Sequence, residues 1–323
     1  MPRTRRLKIM GESCYYHFIS RTVGQEHYLG DTEKERLLNI IKFYSGMYMV
    51  KVIGFCVMSN HFHLLIQSKP EHLYSDKNIA NRIERYMPKL AESNIEDEVK
   101  IARGRAKFGD ISEYMRSIKQ TFSRWYNKTN HRTGYFWGDR FKSIWLQDGE
   151  SLLSCLAYID LNPVRAKIVK IPEDYRWCGL SYRVCGYNAN GFLSFDGVFE
   201  EADEKPESLL VRNYRYLVYR WGNIERVTLS DIESGKTTDT QPKISDEIYL
   251  KELDRRFRIP APELLSKRVR YFSDGLVVGS KIFIKNAYAR FGKDIILKKD
   301  RRAHKIPLSD SLYTLRQIKL SSP

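Results

Sequence analysis

The pattern of hydrophobic and polar residues marks four segments of the chain as strands of a sheet. Segments 14–22, 49–58 and 141–146 are rich in β-branched and aromatic residues, which favour strands. A further strand begins at His61 and follows segment 49–58 after the tight turn Ser59-Asn60. These two strands should therefore form a hairpin.

Two segments between these strands carry apolar residues at helical spacing. The first begins at Asp31, close to a capping Glu35, and continues through Leu37 and Ile41. The second covers residues 112–128, where apolar side chains recur on one helix face. The resulting order, β-α-β-β-α-β, predicts an α+β fold, namely a ferredoxin-like sandwich of an antiparallel sheet with helices on one face.

Changes in composition suggest two domains. Residues 1–195 hold the predicted sandwich, and the polar stretch at about 73–110 is interpreted as an insertion in it. The acidic, proline-containing stretch 199–207 marks a boundary before a basic C-terminal region, 208–323. Arginine and tyrosine residues interleave at 212–221, and basic runs follow at 267–272 and 298–302. Together they favour an accessory DNA-binding domain.

Charge narrows the class of partner. The chain of 323 residues has 55 Lys and Arg against 39 Asp and Glu, a formal net charge of +16. Such an excess favours polyanions, nucleic acid before an anionic membrane surface. No apolar run approaches the ~18 residues that cross a bilayer, so no membrane partner is expected. The five cysteines lack the C-x-x-C spacing of a zinc ribbon and fit a reduced, cytoplasmic setting.

Two histidines one residue apart stand in the third predicted strand. Alternate side chains of a strand share a face, so His61 and His63 should point the same way and Phe62 the other. Neighbouring imidazoles on a rigid strand can serve as a pair of metal ligands. The alternative is two polar residues on the solvated face of a half-buried strand.

A tyrosine is the candidate reactive group of the helix predicted at 150–161. This helix stops before Pro163, and its apolar residues fall in one sector. Tyr158 and Asn162, four residues apart, lie on the opposite side and are neighbours. Geometry alone leaves open whether Tyr158 takes part in chemistry or is a surface tyrosine.

Three sequence blocks in this order resemble a known family. They are MSNHFHLL at 58–65, GYFWGDRFK at 134–142 and YIDLNPVR at 158–165. Together they are similar to the REP-associated tyrosine transposases, which are HUH single-tyrosine transposases. The resemblance runs through residues 9–185, a little over half of the chain.

The resemblance implies a site and a reaction. In that family two histidines and an Asn or Gln one helical turn after the nucleophile hold Mg²⁺ or Mn²⁺. These residues map onto His61, His63 and Asn162, and the nucleophile maps onto Tyr158. The family's reaction cleaves and rejoins single-stranded DNA, here hairpins of the REP type, through a 5′-phosphotyrosine. Tyr126 is the rival nucleophile, and we interpret it as a packing or DNA-contacting residue.

A cluster of aromatic and basic residues precedes the helix that is predicted at 150–161. Trp137, Arg140 and Lys142, joined by Arg132, could hold DNA by stacking on bases and pairing with phosphates. The alternative for Trp137 is an ordinary residue that anchors a loop. His17 on the first strand is interpreted as a hydrogen-bonded sheet residue rather than a ligand.

Other functions remain as alternatives. A catalytically silent DNA-binding regulator of repetitive palindromic sequences would have the same charge and a salt-sensitive affinity. A zinc hydrolase would need third and fourth ligands that the sequence does not offer convincingly. The resemblance implies a bacterial cytoplasmic protein associated with the nucleoid, and it leaves a monomer or a homodimer open.

Overall fold

The computed structural model describes residues 7–9, 11–199, 202, 204–223, 244–254, 276–291, 304–305 and 311–315. Its first part contains the predicted strands and helices in the predicted order. The elements are β1 (Cys14–Arg21), α1 (Asp31–Met47), β2 (Val50–Val57), β3 (His61–Ser68), α2 (Asp76–Tyr86), α3 (Pro88–Ala91), α4 (Asp97–Phe108), α5 (Ile111–Thr129) and β4 (Lys142–Leu146). The expected insertion at about 73–110 thus contains three helices.

The rest of the described chain adds helices and short strands. They are α6 (Glu150–Asp160), α7 (Asn162–Arg165), α8 (Gly179–Val184), α9 (Glu207–Asn223), α10 (Asp246–Asp254), β5 (Val277–Gly279), α11 (Lys281–Phe291), β6 (His304–Lys305) and β7 (Tyr313–Thr314). No helix in these described ranges is long and apolar enough to cross a membrane.

The sheet confirms the ferredoxin-like arrangement of the core. Its strand order begins β2-β3-β1-β4, and each of these neighbours pairs antiparallel. Strand β5 then joins β4 in parallel, followed by β7 and β6, which gives seven strands among the described residues. The whole sheet is therefore mixed, and only its four-stranded core is antiparallel as predicted.

Both faces of the sheet are covered. Phe62 and Leu64 of β3 pack in the apolar cluster that contains the buried side chains of α1 and α5. Leu65 points to the other face and packs with Leu156 of α6 and Tyr214 of α9. The prediction of helices on one face therefore holds for α1 and α5 only. The second face of the sheet is also apolar, so it must be covered by a second layer of helices.

Helix α9 helps to bury the second face of the sheet by packing against α6. Tyr214 Oη donates to a carboxylate oxygen of Asp160 on α6 at 2.6 Å, and Arg215 Nε donates to Glu173 at 2.7 Å. Most of the arginine and tyrosine cluster at 212–221 is thus used in packing, although Arg212 is exposed. The basic runs 267–272 and 298–302 lie outside the described residues. The division at 195 and 208 stays a prediction.

Candidate active site

Strand β3 presents both histidines on the face that α6 covers. The ring centroids of His61 and His63 are 5.0 Å apart, as the strand alternation predicts. His61 is half-buried, whereas His63 is buried. On the neighbouring strand β1, Arg21 pairs with His61 and Ile19 pairs with His63. The two imidazoles are therefore neighbours at the end of the strand where the hairpin turn lies.

Tyr158 lies against these histidines. Its ring centroid is 5.8 Å from that of His63 and 6.3 Å from that of His17, and both contacts are edge-on. Helix α6 is buried around most of its circumference, including Ser154 and Ala157. The expected polar side of this helix thus faces the sheet histidines rather than open solvent. The half-buried Tyr158 is not a surface tyrosine.

Asn162 caps the end of α6 through its amide nitrogen. Nδ2 donates to the carbonyls of Tyr158 and Ile159, both at 3.1 Å, which fixes the side chain on the last helical turn. Its Oδ1 is left as the atom that could bind a metal. Among the hydrogen bonds and ring contacts between described residues, none joins Asn162 to His61 or His63. Its role as a ligand stays a prediction.

His17 is a third histidine of the site. It is buried, its ring stacks on that of His63 with 5.1 Å between centroids, and its Nε2 lies 2.9 Å from Nδ1 of His63. Interpreting it as a hydrogen-bonded sheet residue is consistent with this contact. The sequence did not identify the partner, because that requires the register of β1 on β3.

Arg165 is a cation of the site to which sequence reasoning gave no role. Its guanidinium carbon lies 4.4 Å from the centroid of the Tyr158 ring, and its Nη2 donates to the Tyr158 carbonyl. The seven-residue spacing is close to two helical turns and places both residues on one side. That spacing is the signal by which the sequence could have indicated it.

Burial keeps the two histidines neutral. Desolvation, followed by the charges of Arg21 and His27, lowers the pKa of His61 to about 4. Desolvation and then the neighbouring His61 and His17 hold the pKa of His63 well below its ordinary value. At neutral pH both rings therefore have an unprotonated nitrogen, the form that binds metal ions.

The donor set fits a divalent ion. Nδ1 of His61 lies 2.6 Å from Oδ1 of Asn60, and Nδ1 of His63 contacts His17, so the Nε2 atoms are the nitrogens that remain. With the amide oxygen of Asn162 they would give mixed nitrogen and oxygen ligation, which divalent metals accept. Within the described ranges, no group of three His, Cys, Asp or Glu side chains is arranged to hold a metal.

Tyr126, the rival nucleophile, lies on the other face of the sheet. It is buried in the cluster with the side chains of α1 and α5, and its ring centroid is 4.5 Å from that of Phe136. The two site histidines face α6 instead. The interpretation of Tyr126 as a packing residue agrees with this placement.

Trp137, predicted to stack on DNA, lies in the apolar core. Its ring is buried against Phe62 and Phe136, and its indole N–H donates to the carbonyl of Lys119 at 3.0 Å. Aromatic residues in a loop can anchor that loop as well as bind a base, and here the apolar core takes the ring. This burial favours the alternative interpretation of Trp137 as a loop anchor, and its stacking on DNA stays a prediction.

The basic members of this cluster differ in exposure. Arg140 and Lys142 are exposed, and Lys142 pairs with Ile19 on the sheet face that carries the histidines. Arg132 is half-buried, with its guanidinium 4.5 Å from the ring centroid of Tyr28. Phosphate binding by these three residues stays a prediction.

Comparison with known proteins finds a family match over the part of the chain that holds the first motif. Residues 11–89, which contain both site histidines, match the family model described as IS200-like transposase. A solved REP-associated tyrosine transposase bound to a REP hairpin is 17% identical, with a TM-score of 0.40, over 62% of this chain and 93% of that one. A candidate transposase from Deinococcus radiodurans R1 is 20% identical, with a TM-score of 0.23, over 44% and 84%.

No curated protein matches the chain significantly. The family match nevertheless confirms the predicted resemblance to transposases. Over residues 11–89 the chain is similar to the IS200-like transposase family.

Proposed function

We propose that the protein is a metal-dependent strand transferase that cleaves and rejoins single-stranded DNA through a tyrosine. The observation that carries this proposal is the contact between Tyr158 and His63, with ring centroids 5.8 Å apart. A nucleophile and a metal-binding imidazole pair on one sheet face are what such a reaction requires. The IS200-like match over 11–89 supports the same assignment.

In the proposed reaction the phenol oxygen of Tyr158 attacks a backbone phosphorus of DNA. A bond forms between that oxygen and phosphorus, and the bond from phosphorus to the 3′ oxygen breaks. The electron pair leaves with the 3′ oxygen, which takes up a proton from solvent, while the tyrosine proton passes to solvent. The product is a 5′-phosphotyrosine with a free 3′-hydroxyl, and reversal of the same step rejoins a strand without ATP.

Three residues would hold the metal: His61 and His63 through their Nε2 atoms and Asn162 through Oδ1. A Mg²⁺ or Mn²⁺ ion bound there would supply Lewis-acid polarisation of a phosphate oxygen. Arg165, whose guanidinium lies 4.4 Å from the centroid of the Tyr158 ring, is proposed to hold that ring in position for the attack.

The proposed substrate is a single-stranded DNA hairpin of the REP type. The REP assignment rests on the motif resemblance, and the net charge of +16 suits a polyanion. Arg132, Arg140 and Lys142 are proposed to contact its phosphates, and the region 208–323 is proposed as an accessory DNA-binding region. The proposed location is the bacterial cytoplasm, at the nucleoid. Whether two copies act together is left to the experiment below.

The test uses hairpin DNA labelled at either its 5′ or its 3′ end, incubated with Mg²⁺ or Mn²⁺ and resolved on a denaturing gel. Wild-type protein should retain the 3′ label covalently and release the 5′ label as a shorter strand. Tyr158→Phe and chelation should abolish the covalent band, and the matched variant Tyr126→Phe should keep it.

Other outcomes would contradict the proposal. A covalent band with Tyr158→Phe but not with Tyr126→Phe would move the nucleophile to the opposite sheet face. Binding of the hairpin by wild-type protein without any covalent band would favour the silent DNA-binding regulator. Mixing Tyr158→Phe with His61→Ala protein shows whether subunits share sites, since a covalent band from two inactive variants requires residues of both copies.

A further inference from the structure

We propose that Asn60 and His17 are positioning residues that hold both site imidazoles with the proton on Nδ1. Each ring would then direct the bare lone pair of its Nε2 atom toward one metal ion. This inference rests on the proposed metal-binding role of His61 and His63. It adds the residues that determine which ring nitrogen of each histidine can bind the metal.

The orientation of the Asn60 amide can be assigned from its two partners. Its Nδ2 donates to the backbone carbonyl of Gln25 at 3.0 Å, which accepts only. Oδ1 therefore points at Nδ1 of His61, at 2.6 Å. An amide oxygen also accepts only, so the proton of this hydrogen bond belongs to the imidazole. A neutral imidazole carries one N–H, and Nε2 of His61 is left as a lone pair.

The backbone of Asn60 is held as firmly as its side chain. Its carbonyl accepts the N–H of Thr22 at 2.9 Å and the hydroxyl of Thr22 at 3.1 Å. Thr22 and Gln25 both follow β1, and Arg21 at the end of that strand pairs with His61. The segment after β1 thus fixes the turn before β3 at three points, and rotation of the side-chain amide would break its bond to the Gln25 carbonyl.

His17 lies at Nδ1 of His63, as Asn60 lies at Nδ1 of His61. Its Nε2 lies 2.9 Å from Nδ1 of His63, and both rings are buried and stacked. Coordination through Nε2 of His63 requires that Nδ1–H donate to Nε2 of His17. Outer partners of this kind orient metal-binding histidines, and their loss typically lowers metal affinity ~10- to 100-fold.

The first measurement needs neither metal nor DNA. In ¹⁵N-labelled metal-free protein, the ring nitrogen chemical shifts of His61 and His63 should report an N–H at Nδ1 and a bare Nε2. In Asn60→Ala the proton of His61 should distribute over both nitrogens, while His63 stays unchanged. Asn39→Ala, an exposed asparagine on α1, is the matched control and should change neither ring.

The second measurement is Mn²⁺ affinity of the full chain, followed by electron paramagnetic resonance of the free ion. Asn60→Ala should bind Mn²⁺ ~10- to 100-fold more weakly. Asn60→Asp should restore binding because a carboxylate also accepts from Nδ1. His17→Gln, with an acceptor oxygen, should bind more tightly than His17→Leu. Far-ultraviolet circular dichroism identifies variants that do not fold. If Asn60→Ala or His17→Leu fails to fold, the Mn²⁺ affinities of Asn60→Asp and His17→Gln test the inference.

The outcomes separate this inference from the proposed function. A wild-type His61 protonated at Nε2, or unchanged Mn²⁺ affinity in folded Asn60→Ala, would overturn the inference even if Tyr158 still forms a DNA adduct. The expected shifts and affinities combined with a covalent band in Tyr158→Phe would support the inference and refute the nucleophile assignment.

Discussion

The guanidinium of Arg165 lies 4.4 Å from the centre of the Tyr158 ring, a permanent positive charge beside the proposed nucleophile. A cation in this position is attracted to the electron-rich face of the ring and would hold the tyrosine in place for its attack on DNA. Arg165→Ala should therefore slow formation of the covalent DNA adduct ~10- to 100-fold. Single-turnover rates on a hairpin at saturating protein measure this effect.

Arg165→Lys is the matched variant, since it keeps the charge but not the planar group over the ring. Its rate should lie between those of wild type and Arg165→Ala. An adduct rate in Arg165→Ala equal to that of wild type would show that this cation has no part in the reaction.

Gly54 on β2 sets how closely α6 approaches the sheet. A Cβ at this position would overlap Cδ1 of Leu156, and β2 is irregular here in its pairing with β3. Gly54→Ala should push α6 outward, lower the free energy of unfolding by ~1–3 kcal/mol, and slow the reaction of Tyr158 on that helix. Denaturant unfolding and adduct rates measure the two effects.

Leu156→Val shortens the side chain that occupies this space. Combined with Gly54→Ala it should cost less stability than the sum of the two single changes, because the residues are in contact. Additive losses in the free energy of unfolding would mean that Gly54 and Leu156 do not compete for the same space.

Asp110 caps helix α5 and binds Lys8. Its carboxylate accepts the N–H of Ser112 at 2.7 Å and the Lys8 ammonium at 2.7 Å. Burial alone would raise the pKa of the Asp110 carboxyl, but the bonds from Lys8 and Ser112 outweigh it and lower that pKa below its ordinary value. A carboxyl with a lowered pKa stabilises the fold above its ordinary pKa and loses this contribution as the pH falls.

Asp110→Ala should therefore lower the free energy of unfolding at pH 7 by ~1–2 kcal/mol, the typical loss for an N-cap. The difference from wild type should begin to shrink below about pH 4, where this carboxyl protonates in the unfolded chain, and should close as the pH falls through the lower pKa of the folded state. Urea unfolding at pH 7 and pH 3.5 measures both values. Asp110→Asn keeps the cap and should lose less, and a gap that does not depend on pH would contradict the prediction.

Arg140 is exposed at the end of the loop that precedes β4. If it binds one phosphate, Arg140→Ala should weaken hairpin binding and reduce the slope of log affinity against log salt by ~1. Binding titrations at several salt concentrations measure this slope.

Trp137→Phe is the control from the same loop. It should lower stability, because Trp137 is buried, and leave the salt slope unchanged. An unchanged slope in Arg140→Ala would remove Arg140 from the proposed DNA surface.

The core fold could be predicted because its signals are local. Strand β3, its hairpin turn and helix α5 each show their period within a few residues. Strands β5 to β7 are only two or three residues long in the described chain, too short for a period to appear. The cover of the second sheet face was not predicted, because α9 is remote from α6 in the sequence.

The candidate site was predicted where one element carries the pattern. His61 and His63 share a strand, and Tyr158 shares a sequence block with Asn162. His17 and Asn60 gain their meaning from the pairing of β1 with β3, which the sequence does not specify. The burial of Trp137 could not be predicted, because composition does not tell a buried ring from one that binds DNA.

Strand β4 would be an edge strand if the ferredoxin-like core were a separate protein. In the full chain the N–H groups of Trp145 and Gln147 donate to the carbonyls of Leu276, just before β5, and of Val278 in β5, both at 3.1 Å. A fragment cut after residue 195 would leave these groups on an open edge, which favours pairing between molecules. Such a fragment should self-associate, and oligomeric states measured on it would not describe the intact protein.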